Sequence, residues 1–136
     1  MAFAIKVEIK NVRAKTFVFD AQKTMYGGRR IAKGDVLFIF ASENEGGPGI
    51  IARGVVTTAR ATPLKPGIGR QTPRVSITVK RSALAKKRLG RSEVKPFSNW
   101  KDGRPETELN FKFYRQGTNK IVGLSAAAAA FLGRFF

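Results

Sequence analysis

Cysteine and histidine are absent from this 136-residue chain, and acidic residues are scarce. Without cysteine the protein forms neither disulfides nor thiolate nucleophiles, which agrees with a cytoplasmic location. The two absences together exclude the usual zinc ligands, the Ser-His and Cys-His nucleophile pairs and imidazole general bases. Any catalysis would depend on lysine, tyrosine or one of nine carboxylates. The sequence therefore predicts a protein that is not an enzyme and that holds no metal or cofactor.

Long hydrophobic runs are also missing. The most apolar segment, SAAAAAFLGRFF, is much shorter than the roughly 20 residues that span a bilayer. The amino-terminal MAFAIKVEIK alternates apolar and charged residues and has no signal-peptide core. We therefore expect no membrane anchor. At 43% hydrophobic and 26% charged residues, the composition is typical of one globular domain, which we predict to cover residues 1–136.

The shortage of acids leaves a large excess of positive charge. The chain has 26 Lys and Arg residues against 9 Asp and Glu, which gives a formal net charge of +17. A field of this size attracts polyanions, with nucleic acid the first expectation and anionic membrane the second.

The imbalance is greatest in the middle of the chain, where no acid occurs between Glu45 and Glu93. Like charges at this density repel one another unless a polyanion or salt screens them. Two interpretations remain open, a surface that follows a phosphate backbone and the solvated face of a generally basic protein. The residues predicted to contact phosphates are Arg29, Arg30, Lys80, Arg81, Lys86, Lys87, Arg88 and Arg91.

The hydrophobic pattern is dominated by period-two alternation, which is typical of strands. Five consecutive apolar residues at 36–40 indicate a central strand covered on both faces, and Gly54 in the return strand indicates a bulge. Short helices are predicted over 82–90, with Ser82 as N-cap, and after Ser125. Further strands are predicted at residues 3–9, 15–20, 50–60, 74–81, 107–115 and 120–124. We expect an α+β fold, a closed or partly closed and mainly antiparallel β-barrel with flanking short helices.

Most of the eleven Phe residues lie on these strand and helix patterns, and we assign them to the core, Phe111 included. Tyr26, Phe97 and Trp100 differ because they lie in predicted loops, with Asn99 beside Trp100. Loop aromatics can stack on a planar ring while polar neighbours read its edge. The alternative is that Trp100 plugs the mouth of the barrel.

The order of RRIAKGDVLFIFAS, a Gly-rich loop, GIIARGVVTTA and NKIVGLSAAAAAFL resembles the PUA-like superfamily, and within it EVE domains, relatives of the YTH and ASCH domains. The resemblance implies a barrel with a pocket at one mouth, where relatives commonly read modified bases or bind RNA. It also implies that Ser42 is the polar position at which a central strand opens into the pocket. By the same resemblance Phe19 matches an aromatic position that is usually Trp, and Trp100 forms another wall.

These features together predict a non-catalytic nucleic-acid-binding module that reads a modified or flipped base in a mouth pocket. The basic residues would hold the backbone, and Tyr26, Phe97 or Trp100 would stack on an extruded base. Ser42 and Asn99 would bond to its edge. The alternative is a protein that binds a nucleoside or another small molecule in the same pocket. The choice between DNA and RNA stays open.

Overall fold

The structure, a computed structural model, describes all residues from Met1 to Phe136. Six strands close into a barrel in the order β1-β3-β4-β5-β2-β6. The pairs β1–β3 and β2–β6 are parallel and the other pairs are antiparallel, which confirms the predicted mainly antiparallel barrel. The strands are β1 (Ala2–Val7), β2 (Thr16–Met25), β3 (Val36–Ala41), β4 (Gly49–Ala61), β5 (Arg74–Leu84) and β6 (Lys120–Gly123).

Short helices cover one side of the barrel. They are α1 (Arg91–Val94), α2 (Pro105–Leu109), a π-helical turn (Asn110–Tyr114) and α3 (Ala126–Gly133), with 3₁₀ turns at Gly28–Arg30 and Glu43–Glu45. The Ser125 hydroxyl accepts a hydrogen bond from the Ala128 amide at 3.1 Å, which confirms the predicted N-cap of the terminal helix. None of these helices has the length and apolar character needed to cross a membrane.

Alternation along the strands builds two cores. Phe3 and Ile5 of β1 point into the barrel, whereas Ala4 belongs to a second cluster between the barrel and the helices. Strand β3 contributes to both, since Ile39 faces the interior and Phe38 packs in the outer cluster. The prediction of a central strand covered on both faces is confirmed. Strand β1 is covered on both faces as well, although its alternation of apolar and charged residues is typical of a half-buried strand.

Gly54 is the bulge that its position predicted. The pairing register between β4 and β5 shifts at Arg53/Gly54. A Cβ at Gly54 would lie 2.6 Å from the Lys80 carbonyl oxygen, so only glycine allows the two backbones to approach this closely.

The predicted helix over 82–90 is wrong. Strand β5 continues to Leu84, and it pairs in register with β4 through Ala83 opposite Arg53 and Leu84 opposite Ala52. The ladder hydrogen bonds along β4 override the local helix propensity of this Ala- and Lys-rich segment.

The predicted strand over 107–115 is also wrong, because this segment forms α2 and the π-helical turn. The spacing of Phe111 and Phe113 imitates strand alternation. The sequence did carry helix-start signals, since Pro105 occupies the first turn and Glu106 lies beside it.

Candidate functional site

Trp100 is presented by a tight turn outside the barrel. The Asp102 amide donates to the Asn99 carbonyl oxygen at 3.0 Å, and the Lys101 amide donates to the Asn99 side chain at 3.3 Å. Asp102 in turn accepts from the Arg104 amide at 2.9 Å. This hydrogen bond holds the pKa of the Asp102 carboxyl below its usual range. The Trp100 side chain is 43% exposed on this ordered turn, so it does not plug the barrel interior.

The π-helical turn places Phe111 against Trp100. The Arg115 amide donates to the Asn110 carbonyl oxygen at 2.9 Å, five residues back, which is the hydrogen bond that defines a π-turn. Single π-turns occur frequently at functional sites. The Phe111 ring meets the Trp100 ring edge-on with a centroid distance of 5.5 Å. Phe111, which we assigned to the core, is therefore a half-buried member of a surface cluster.

Tyr26 completes the cluster from the end of strand β2. Its ring lies 5.7 Å from the Phe111 ring, and the residue is 39% exposed. The Tyr26 backbone adopts a φ of 52°, in the left-handed region that bulky residues rarely occupy. The turn is held against β6, because the Gly123 amide donates to the Tyr26 carbonyl oxygen at 3.1 Å. Strained backbone of this kind concentrates at functional sites.

Two cations lie over the rings of this aromatic cluster (Tyr26, Trp100 and Phe111). The Arg115 guanidinium carbon is 4.8 Å from the centroid of Phe111 and 6.0 Å from that of Trp100. The Lys112 ammonium lies 5.9 Å from the Tyr26 centroid. All three distances are within the range of cation–π attraction. The rings of the cluster therefore already have cationic neighbours, one of them the planar guanidinium of Arg115.

Lys112 is held in place by an ion pair with Glu108. Its ammonium donates to Glu108 Oε2 at 3.0 Å and to the Gly123 carbonyl oxygen at 2.7 Å. Burial opposes ionisation of Glu108, but hydrogen bonds from Ser125 and the Lys112 charge outweigh it and lower the pKa of that carboxyl. A charged Glu108 thus joins α2, the π-helical turn and the cap of α3.

A cleft of about 230 Å³ opens beside Trp100. Its walls are Trp100, Gly103, Arg104, Thr107, Glu108 and Phe111. The volume is below the roughly 300–1,000 Å³ of pockets that enclose drug-sized ligands. The cleft therefore suits one flat ring more than a large molecule.

The structure brings together only part of the predicted pocket. Tyr26 and Trp100 meet through Phe111, as described. Asn99 is exposed but its side chain caps the turn. Phe97 is half-buried, accepts a hydrogen bond at its carbonyl oxygen from Asn110, and does not join the ring pairs of the cluster.

Phe19, which the resemblance placed in the pocket, lies elsewhere in the structure. Its ring lies inside the barrel, 6% exposed and stacked on Phe17 at 5.7 Å. Alternation along β2 directs both residues inward, since Val18 between them is exposed. Phe19 therefore stabilises the core, and the surface pocket does not include it.

Ser42 lies in a different, closed polar cluster at the end of β3. The residue is 1% exposed, and its hydroxyl has no hydrogen-bond partner in the protein. The neighbouring Glu43 accepts hydrogen bonds from the Tyr114 hydroxyl at 3.1 Å and the Arg91 amide at 2.6 Å. Burial and the Glu43 charge raise the pKa of Tyr114 well above its usual range. This cluster leaves Ser42 without access to the aromatic rings.

Two buried lysines support the same region, and the sequence pattern did not reveal them. Lys6 donates to the carbonyl oxygens of Phe113 at 2.9 Å and Gly117 at 3.1 Å. Lys120 lies opposite Lys6 in the β1–β6 pair and donates to the Gln116 and Thr118 carbonyl oxygens. Burial lowers the pKa of Lys6, and burial with the Lys6 charge lowers that of Lys120 to about 8. Both ammonium groups bind the free carbonyls that follow the π-helical turn.

The cations predicted to contact phosphates do not form one patch. Arg29 and Arg30 are exposed in the 3₁₀ turn that follows Tyr26, so they flank the aromatic cluster. Lys80 is exposed on β5. Lys86 and Lys87 are exposed in the loop after β5, where the Lys86 amide contacts the Phe135 carbonyl oxygen.

The other three predicted cations are engaged with the protein itself. The Arg81 guanidinium donates to the Arg13 carbonyl oxygen at 2.7 Å, and that of Arg91 donates to Asn44 at 2.6 Å. Arg88 makes an exposed ion pair with Glu93 at 3.5 Å. Such a surface pair is weak and leaves Arg88 free to exchange partners.

Comparisons with known proteins support the fold. The DUF55 domain of human thymocyte nuclear protein 1 is 16% identical, with a TM-score of 0.65 over 96% of this chain and 95% of that one. Human THYN1 protein in complex with 5-methylcytosine containing DNA is 16% identical, with a TM-score of 0.65 over 96% and 94%. A protein from Pseudomonas syringae is 18% identical, with a TM-score of 0.61 over 100% of both chains. No protein-family model and no curated protein sequence matches. The chain thus has the fold of the DUF55 domain, a closed barrel of the kind that the resemblance implied.

Proposed function

We propose that this PUA-like barrel is a non-catalytic nucleic-acid-binding module that stacks a base on its aromatic cluster. One observation carries the proposal. Tyr26, Phe111 and Trp100 come from three separate segments, yet their rings meet at the surface with centroid distances of 5.5 and 5.7 Å. Stacking on exposed aromatic rings is how proteins bind unpaired bases with little sequence preference.

The cations around the cluster suit the phosphates on either side of such a base. Arg115 lies over the Phe111 ring, and Arg29 and Arg30 follow Tyr26 after two glycines. Arg115 covers part of the Phe111 face, and because it is exposed it can move aside and contact a phosphate. The net charge of +17 adds a long-range attraction that is independent of sequence.

The fold comparison gives independent support, because a human protein of similar fold is known in complex with 5-methylcytosine containing DNA. The finer part of the proposal is that the same site reads a modified or flipped base. The cleft beside Trp100 would take the ring of an extruded base, and polar groups of its wall would contact the ring edge.

The single tryptophan of the chain makes this proposal directly testable. Titration of the full chain with mixed-sequence single-stranded DNA and with RNA should quench the intrinsic fluorescence of Trp100 in step with binding. Binding measured by anisotropy of a labelled oligonucleotide without any change in Trp100 emission would place the site elsewhere.

The size of the cleft favours a second candidate, a nucleoside-binding protein. The cleft of about 230 Å³ has one aromatic wall from Trp100 and one from Phe111, which is enough to hold a free base ring. A free nucleoside that quenches Trp100 as tightly as an oligonucleotide, with no dependence on salt, would favour this candidate over the first.

A further inference from the structure

The loop that joins β4 to β5, residues 62–73, exposes two large apolar side chains. Leu64 is 67% exposed and Ile68 is 52% exposed, and neither belongs to a core cluster. Three prolines, Pro63, Pro66 and Pro73, restrict the backbone around them. Exposed apolar residues on a restricted loop commonly mark a contact surface.

Hydrogen bonds hold this loop in one shape. The Gln71 side chain accepts from the Lys65 amide at 2.9 Å and donates to the carbonyl oxygens of Lys65 at 2.8 Å and Ile68 at 3.0 Å. At the base of the loop, the Thr24 hydroxyl donates to the Pro73 carbonyl oxygen at 2.8 Å. The apolar tips are therefore presented by an ordered loop, which lowers the entropy lost on contact with a partner.

Cationic clefts flank the segment Gln71–Thr72 of this loop. One cleft, of about 270 Å³, includes Lys65 and Arg74 in its wall, and the other, of about 650 Å³, includes Lys23 and Arg70. Both clefts share Gln71 and Thr72, and Leu64 and Ile68 line the smaller one. Neither wall contains an acidic residue. The loop thus combines exposed apolar side chains with cations in two adjoining clefts.

The larger cleft also connects the loop to the aromatic cluster. Its wall includes Met25, which precedes Tyr26, and Thr118, which lies three residues after Arg115. The wall of this cleft therefore reaches from the 62–73 loop to the two segments that carry Tyr26 and Arg115.

We propose that the 62–73 loop is a wedge for duplex nucleic acid, with Leu64 and Ile68 inserted between base steps. Apolar side chains that unstack a step, flanked by cations on the two backbones, are the chemistry of proteins that open or bend a duplex. Cations in two separate clefts match two phosphate strands better than they match one membrane plane. The inference rests on the proposed function, because the opened step would deliver a base to the aromatic cluster.

The test uses the full chain and a short DNA duplex that carries one 2-aminopurine, whose fluorescence rises when it unstacks. The double variant Leu64→Ser and Ile68→Ser removes the wedge, and Val12→Ser, at a residue 36% exposed in another loop, is the matched control. Because all three side chains are exposed, these variants should unfold at the wild-type temperature. The labelled single strand and vesicles containing phosphatidylserine are the comparison probes.

We expect the wild type and Val12→Ser to raise the 2-aminopurine fluorescence of the duplex. The double variant should lose this rise and bind the duplex about tenfold more weakly, with single-strand affinity unchanged. A double variant that opens and binds the duplex like the wild type would overturn the wedge. If that variant still binds the single strand and its Trp100 fluorescence is quenched, the proposed function stands. A wild-type protein that binds neither the duplex nor the single strand, but binds the vesicles through Leu64 and Ile68, would overturn both the wedge and the proposed function.

Discussion

Replacing Trp100 by alanine separates a binding role from a structural one. Trp100 is 43% exposed and makes one edge-on ring contact, with Phe111. A fully buried aromatic truncated to alanine costs about 3–5 kcal/mol of stability, so this half-exposed ring should cost roughly half of that. Loss of one stacked base costs roughly 1–3 kcal/mol of binding, which corresponds to an affinity about five- to 150-fold weaker.

Both quantities are measured on the same Trp100→Ala protein, stability by urea unfolding and affinity by anisotropy of a labelled single strand. Phe131→Ala is the matched control, because Phe131 is also half-buried and meets Phe135 edge-on at 5.2 Å. The control should lose a similar amount of stability and keep full affinity. A folded Trp100→Ala protein that binds like the wild type would refute the stacking site.

Three further outcomes are expected. Burial lowers the pKa of Lys120 to about 8 in the folded protein, whereas an unfolded lysine titrates near about 10.4, so the unfolded state binds more protons between these pH values and the wild type gains stability as the pH rises. The advantage of the wild type over Lys120→Met in urea unfolding should therefore grow by roughly 2–3 kcal/mol between about pH 7 and pH 10, and an unchanged difference would contradict the lowered pKa. Gly54→Ala should cost about 1–3 kcal/mol of unfolding free energy, whereas Gly69→Ala, where the new Cβ meets nothing, should change little. Neutralising residues 86–88 should weaken binding to all sequences alike and reduce the salt slope by about one unit per lost phosphate contact; an unchanged slope would identify them as a solvated face.

The barrel could be predicted because its strands carry their signal locally. Alternation in β1 indicates a strand, the apolar run in β3 indicates a strand covered on both faces, and the Gly-rich segment before β4 indicates a turn. The bulge at Gly54 could also be predicted from local sequence, because a glycine inside a strand indicates close backbone approach.

Pro105 and Glu106 signalled the start of helix α2, but the π-helical turn that follows could not be predicted locally. Phe111 and Phe113 are two apart in sequence, which is the strand period, but the π-turn directs one ring to the surface and the other to the outer core. That direction is set by packing against Trp100 and Phe40, which are distant in sequence. The aromatic cluster was therefore predicted for Tyr26 and Trp100 but without Phe111.

The placements of Phe19 and of the two buried lysines differ in how far the sequence indicates them. For Phe19 the strand pattern gave the correct orientation, since its alternation with Val18 points it inward, but the family resemblance outweighed it. For Lys6 and Lys120 the local pattern is misleading, because a charged residue on a strand normally faces water. Only the turn after the π-helix, with its unpaired carbonyls, explains why both are buried.

The salt dependence of affinity for mixed-sequence single-stranded DNA tests the central claim most directly. If the protein is a nucleic-acid-binding module, log K should fall linearly with log salt, with a slope of about −0.7 for each phosphate contacted. We expect a slope equivalent to several phosphates, given the exposed cations beside Tyr26 and the net charge of +17. A slope near zero, together with tight binding of a free nucleoside, would contradict the account and identify a small-molecule site instead.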